Sequence, residues 1–214
     1  EMTDPVTPQL RAIDGINPMD RTFEEAREGG ITTVCTGPGS ANVIGGTFAI
    51  IKTYGKRIDD MIVKEPAAMK VAFGENPKRV YSERKQSPST RMATAAILRE
   101  QLMKAKAYKE KLEKAKEDTD KKPEPDVKME ALQKVINKEI PLKAHAHRAD
   151  DIFTAIRIAK EFDVDITLDH CTEGHLIADE LAREGKYVIS GPHLTERSKH
   201  ELKNKSFESP VALW

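Results

Sequence analysis

The sequence is poor in cysteine: Cys35 and Cys171 stand alone, with no Cys-x-x-Cys spacing. Each falls at the end of a predicted strand, so free thiols in a reducing, cytoplasmic setting are expected rather than a disulfide scaffold. No run of about 18 apolar residues occurs, and no membrane-spanning helix is expected. The opening Glu1-Met2-Thr3-Asp4-Pro5 has neither a basic n-region nor an apolar h-region, so no secretory signal is expected there. Net charge is absent too, because 35 Lys and Arg balance 35 Asp and Glu. With no global field of either sign, neither nucleic acid nor a membrane surface is an expected partner. No internal repeat stands out.

What is present is a charged chain, 33% Asp, Glu, Lys and Arg against 38% apolar residues, in which solvated helices and loops must be extensive. Its 214 residues suit one sizeable domain. A glutamate precedes the first methionine, and the last residues, Pro210-Val-Ala-Leu-Trp214, form an apolar run with no terminal cap. Both features suggest an internal piece of something longer.

Along the chain, Thr22-x-x-Glu25 reads as a capping box on a short helix that ends at Gly29-Gly30. Ile31 to Thr36 is a β-branched strand, followed by a glycine-bearing loop to Gly46 that includes Asn42. A strand pair is expected around Met61 to Val63 and Ala67 to Phe73. A long helix is predicted from Ser89 to about Ala115, with Lys, Glu and Ala dominating from Lys104 to Lys122. Lys121-Lys-Pro-Glu-Pro125 breaks it, and a second helix covers roughly Val127 to Asn137. The expected product is a charged helical hairpin, a solvated insertion (about 89–137) or else a contact surface. From Ile140 the pattern becomes regular. Strands at Ile140 to His145, Val164 to His170 and Tyr187 to Ser190 alternate with helices at Asp150 to Phe162 and Glu173 to Glu184. Such alternation predicts a parallel sheet with helices outside it.

The candidate chemistry lies at two successive strand ends. Lys143-Ala-His145-Ala-His147 closes one strand and Asp169-His170 the next. In a parallel βαβ unit both strands end on the same edge of the sheet, where such folds place ligands. Imidazole is the commonest protein ligand for zinc, so His145 and His170 read as metal ligands. One histidine alone would be an ordinary polar strand end. Asp169 alternates away from His170 and is expected to orient a neighbour. Lys70 is out of place in the apolar Ala67 to Gly74. It either pairs with a carboxylate such as Glu75 or, desolvated and neutral, takes up carbon dioxide to become a bridging ligand. Glu173 and His175 could reach a substrate or simply start a helix. Arg79 and Arg148 are candidates for gripping a carboxylate. His193 and His200 are expected on the surface.

The run Lys143-Ala-His-Ala-His147 followed by Asp169-His170 resembles strands five and six of the metal-dependent amidohydrolase superfamily, most closely its imidazolonepropionase-related branch. Gly30 to Val34 is similar to strand two of these enzymes, Met69 to Ala72 to strand four and Tyr187 to Pro192 to strand seven. The resemblance implies an α/β fold, a (β/α)₈ TIM barrel that is incomplete here. The strand-one His-x-His and the strand-eight aspartate are not among these residues, and a whole barrel takes about 250 residues. It implies a hydrolase that cleaves non-peptide C–N bonds of small amides or cyclic amides through metal-activated water. The cofactor would be one or two divalent ions, zinc before iron or manganese, held by His145, His170 and, in some members, a carboxylated Lys70. His170 would also act in catalysis. His147, Arg148, Glu173, His175 and Asn42 would face the substrate. A homo-oligomer and an inactive isolated piece are expected. The alternatives are a cyclic-imide hydrolase of the dihydroorotase type with a carboxylated lysine, or a non-catalytic assembly module working through the helical hairpin.

Overall fold

The computed structural model describes residues 2–118 and 122–214. Glu1 and residues 119–121 lie outside the described residues, and with them Lys121 of the predicted helix break and the end of the Lys104 to Lys122 stretch. Six strands form one sheet in simple chain order: β1 (Thr33–Thr36), β2 (Ile44–Lys52), β3 (Ile62–Ala72), β4 (Leu142–Ala146), β5 (Ile166–His170) and β6 (Tyr187–Ser190). The sheet curls as in half of an α/β barrel.

From β3 to β6 all pairs are parallel, as the alternation of strands and helices predicts. The first half differs, because β1, β2 and β3 form an antiparallel meander. The links at 37–43 and 53–61 explain this correction, since a parallel crossover needs about a dozen residues or more. The expected strand pair at 61–73 is one strand, β3, and the expected loop to Gly46 already contains the start of β2. The register slips between Ile44 and Gly46, and Gly46 has φ 119°, so the glycine absorbs a bulge that side chains rarely tolerate.

Seven helices accompany the sheet among the described residues: α1 (Arg21–Glu28), α2 (Glu75–Glu83), α3 (Arg91–Lys114), α4 (Val127–Ile136), α5 (Ala149–Phe162), α6 (Ala178–Glu184) and α7 (Ser209–Ala212). The α1 cap is Asp20, whose carboxylate accepts from the Thr22 amide, rather than the predicted Thr22 box. The predicted helix at 173–184 is a 3₁₀ turn, Gly174–Ile177, followed by α6. α3 and α4 form the predicted hairpin, but it is not a loosely solvated insertion. Leu98, Leu102, Ala105, Met129, Leu132 and Val135 are buried in the main core. They join Met69 and Val71 of β3, Leu142, Ala144 and Ala146 of β4, and Ile166 and Leu168 of β5.

Strand alternation then fixes the other face. If 69, 71, 142, 144, 166 and 168 point to the helices, their neighbours Lys70, Lys143, His145 and Asp169 point to the inside of the curl. The registers Lys70↔Lys143 and His145↔Asp169 bring these polar side chains into one row.

Candidate metal centre

His145 is the penultimate residue of β4, His147 follows its last residue, and His170 ends β5. Strict alternation would turn His170 away from Asp169. Instead His170 has φ 74° and Cys171 φ 44°, and this left-handed turn swings the ring over the strand ends. The three rings meet, with centroids 4.6 Å apart for His145–His147 and for His145–His170, and 4.7 Å for His147–His170. One ligand atom from each lies within 4.8 Å of the others.

Hydrogen bonding decides which nitrogens carry lone pairs. His170 Nδ1 is 2.6 Å from the Gly191 carbonyl, which only accepts, so Nδ1 holds the proton and Nε2 is bare. For His145 the chain of inference runs through Asn76. Lys199 Nζ donates to Asn76 Oδ1 at 2.9 Å, and an ammonium has no other role. That turns the Asn76 amide nitrogen to His145 Nε2 at 3.3 Å, so this Nε2 accepts and the proton sits on Nδ1. His145 Nδ1 is buried with no acceptor. His147 Nδ1 is 2.6 Å from Thr172 Oγ1, and the hydroxyl can accept its proton and leave Nε2 bare. Burial keeps all three rings neutral: it lowers His145 to about 4 and His147 to about 3, and depresses His170 as well. Neutral imidazoles gathered at one point suit a metal of the zinc type, for which His145 Nε2 would exchange the Asn76 amide.

A residue that the sequence motifs do not mark stands beside them. Glu201, in the short turn His200–Leu202 after β6, is 1% exposed. Its Oε1 is 3.7 Å from His147 Nε2 and 3.8 Å from His145 Nε2, and 2.6 Å from Lys199 Nζ. Burial alone would raise its pKa, but Lys199 and the Glu75 amide outweigh burial and hold the carboxyl well below the usual range. No local pattern around Glu201 announces this, because the histidines it faces lie more than fifty residues upstream.

Lys70 and Lys143 form a second cluster below the rings. Both ammonium groups share Asp169, at 3.1 Å to Oδ2 and 2.7 Å to Oδ1. Each also lies over the Phe48 ring, at 5.7 and 5.5 Å. The partner of Lys70 is therefore Asp169 rather than the expected Glu75, and Asp169 orients lysines rather than a histidine. Burial lowers the Lys70 pKa, with Asp169 opposing that shift.

The remaining candidates are engaged elsewhere. Glu173 Oε2 accepts from the Ala149 amide at 2.9 Å and so caps α5 from a neighbouring loop, while Oε1 takes Asn204 Nδ2 at 2.8 Å. Arg148 forms a two-pronged pair with Asp150, and Arg79 pairs with Glu83 at 4.0 Å, the common surface fate. His175 Nδ1 meets Ser209 Oγ at 2.9 Å. Asn42 is buried between Thr7 Oγ1 at 2.8 Å and Tyr81 OH at 2.5 Å. Of the residues assigned to substrate, only His147 joins the histidine cluster.

A curled, half-barrel sheet with neutral histidines gathered at its parallel strand ends defines the class, an α/β half-barrel with a candidate metal centre. Two relatives give that class a name. An amidohydrolase from Thermotoga maritima MSB8 has a solved structure that matches with a TM-score of 0.97 and 49% identity, covering 100% of this chain and 56% of that one. Amidohydrolase tasK of Hapsidospora irregularis is 30% identical over 203 residues, 86% of this chain and 21% of its own length. No family model matches. The chain thus spans about a fifth of the curated relative and just over half of the solved one. Both support an amidohydrolase family for it.

Proposed function

We propose that these residues form the metal-binding part of a metal-dependent hydrolase of the imidazolonepropionase-related type. It would cleave the C–N bond of a small non-peptide amide or cyclic amide. The observation that carries this reading is the convergence of three neutral histidines at the ends of adjacent parallel strands. Buried neutral imidazoles crowded together are a poor core and a good donor set.

In this reading His145, His147 and His170 hold a divalent ion, zinc first by donor chemistry. When bound, the ion lowers the pKa of water and polarises the scissile carbonyl. The chain's own groups do the positioning. The Gly191 carbonyl fixes the His170 tautomer and leaves its Nε2 bare, while Asn76, held by Lys199, occupies His145 Nε2 until an ion takes its place. The left-handed turn at His170 and Cys171 sets the ring height. The resemblance also calls for a strand-one His-x-His and a strand-eight aspartate, which are not among these 214 residues. Turnover is accordingly assigned to a polypeptide that carries them, and metal uptake to this chain.

The test is metal content by mass spectrometry, for this chain and for His145→Ala and His170→Ala, with amide hydrolysis assayed on the extended polypeptide. Close to stoichiometric metal that both substitutions abolish is the expected result. Metal that survives both substitutions, or an extended protein inert toward acyl amino acids and cyclic amides alike, would sink the reading.

A further inference from the structure

His145 and His147 stand at the edge of the sheet where parallel strands end, yet both are buried. Glu201 lies across them, its Oε1 facing their Nε2 atoms at 3.8 and 3.7 Å. Approach to these two nitrogens from the strand ends therefore requires the segment that carries Glu201 to move.

Residues 195–205 hold their own shape. Lys205 Nζ donates to Thr195 Oγ1 at 2.7 Å, and an Arg197 guanidinium nitrogen donates to the Lys205 carbonyl at 2.8 Å. Surface loops tied by their own side chains in this way can shift without unravelling. The docking of the segment, by contrast, is polar. Lys199 donates to Asn76 Oδ1, and Asn204 Nδ2 donates to Glu173 Oε1. Glu201 is held twice by Glu75: its carboxylate accepts from the Glu75 amide, and its own amide donates to Glu75 Oε2 at 3.3 Å. Water can take over such bonds at a modest net cost, which it cannot do for a buried apolar face. Leu202 is the one apolar side chain of the segment, and the flanking Leu194 and Phe207 are largely exposed, so little packing resists movement.

Charge does not resist it either. Lys199 and Glu201 pair within the segment at 2.6 Å, so both charges leave together. Arg91, 3.9 Å from Glu201, keeps its closer partner Asp151 at 3.0 Å. Opening therefore strands no buried charge of the kind that makes a broken ion pair expensive.

We propose that residues 195–205 form a lid over the candidate metal centre. It opens as a unit to admit ions and substrate, and closes through Lys199, Glu201 and Asn204. The lid rests on the metal-hydrolase reading above and adds a gate to it.

The test uses the 214-residue chain, stripped with a chelator. Zinc uptake is timed, zinc release is timed with an excess of a chromophoric chelator, and Kd is measured by competition at equilibrium. Asn204→Ala breaks one docking bond and leaves the histidines and the Lys199–Glu201 pair in place. A gate alters both rates together, so uptake and release should each quicken roughly tenfold while Kd stays within about twofold. Circular dichroism checks that the variant is folded. Hydrogen exchange on the wild-type chain needs no variant: the amides of residues 199–204 should exchange well ahead of those of β4 and β5. Wild-type rates in a folded Asn204→Ala overturn the lid. So does a changed Kd with only one rate moved, which would make the segment a support for the ligands. Amides of 199–204 that exchange only when the sheet unfolds overturn it as well. In each of these cases zinc that binds the wild-type chain and is lost in His170→Ala keeps the hydrolase reading standing. A wild-type chain that takes up no zinc overturns both.

Discussion

At the residue scale, Asp169 holds together charges that would otherwise be isolated. It is 6% exposed and balances both Lys70 and Lys143 across three adjacent strands. Asp169→Asn keeps the shape but leaves two ammonium groups in the curl without a counter-charge. Removing one partner of a buried pair costs roughly 3–5 kcal/mol, so this substitution is expected to lower unfolding free energy by about that much. Lys70→Met removes a cation and leaves Asp169 paired with Lys143, and should cost clearly less. Urea denaturation of the two variants measures the difference, and an Asp169→Asn loss below that of Lys70→Met would refute the argument. The sequence shows Lys70 as misplaced and Asp169 as a strand-end acid. It cannot join them, because 99 positions separate the pair and only the β3–β4–β5 register closes that distance. Nearness in sequence favoured Glu75, whose amide instead holds Glu201.

At the element scale, periodicity was informative where an element has one apolar face. α5 and β4 to β6 are legible because helical spacing and strand alternation both point to the same core. β2 was hidden by Gly45-Gly46, which read as loop although one of them only accommodates a bulge. α2 was missed because Glu75 to Glu83 buries little beyond Pro77 and Tyr81. The hairpin was misjudged for the opposite reason: its lysines and glutamates dominate the count while a narrow stripe does the packing. Leu102 in that stripe is fully buried. Leu102→Ala is expected to destabilise the chain by about 2–5 kcal/mol, the range for a large-to-small core change. The exposed Met103 beside it, 63% accessible, should cost little as Met103→Ala. Equal, small effects at both positions in chemical denaturation would restore the solvated-insertion reading.

At the scale of the whole molecule, the candidate metal centre draws on separate parts of the chain. His145 and His147 come from the end of β4 and His170 from the end of β5, with Glu201 of the turn after β6 beside them. The histidines were legible because a parallel sheet puts its strand ends on one edge. Glu201 was not, since its position depends on how the segment after β6 folds back. A ligand that binds only the folded arrangement stabilises it by mass action, about 2.7 kcal/mol at a free concentration one hundred times the dissociation constant. For a chain of this length each kcal/mol moves the unfolding midpoint by about 2–4 °C. Saturating zinc is therefore expected to raise the melting temperature of the chelator-treated chain by roughly 5–10 °C. The increase should vanish in His170→Ala, which leaves the rest of the fold intact. Differential scanning calorimetry with and without zinc makes the measurement. A midpoint that ignores zinc would mean that the folded chain holds the ion no better than the unfolded one, and that the donors are not assembled by the fold.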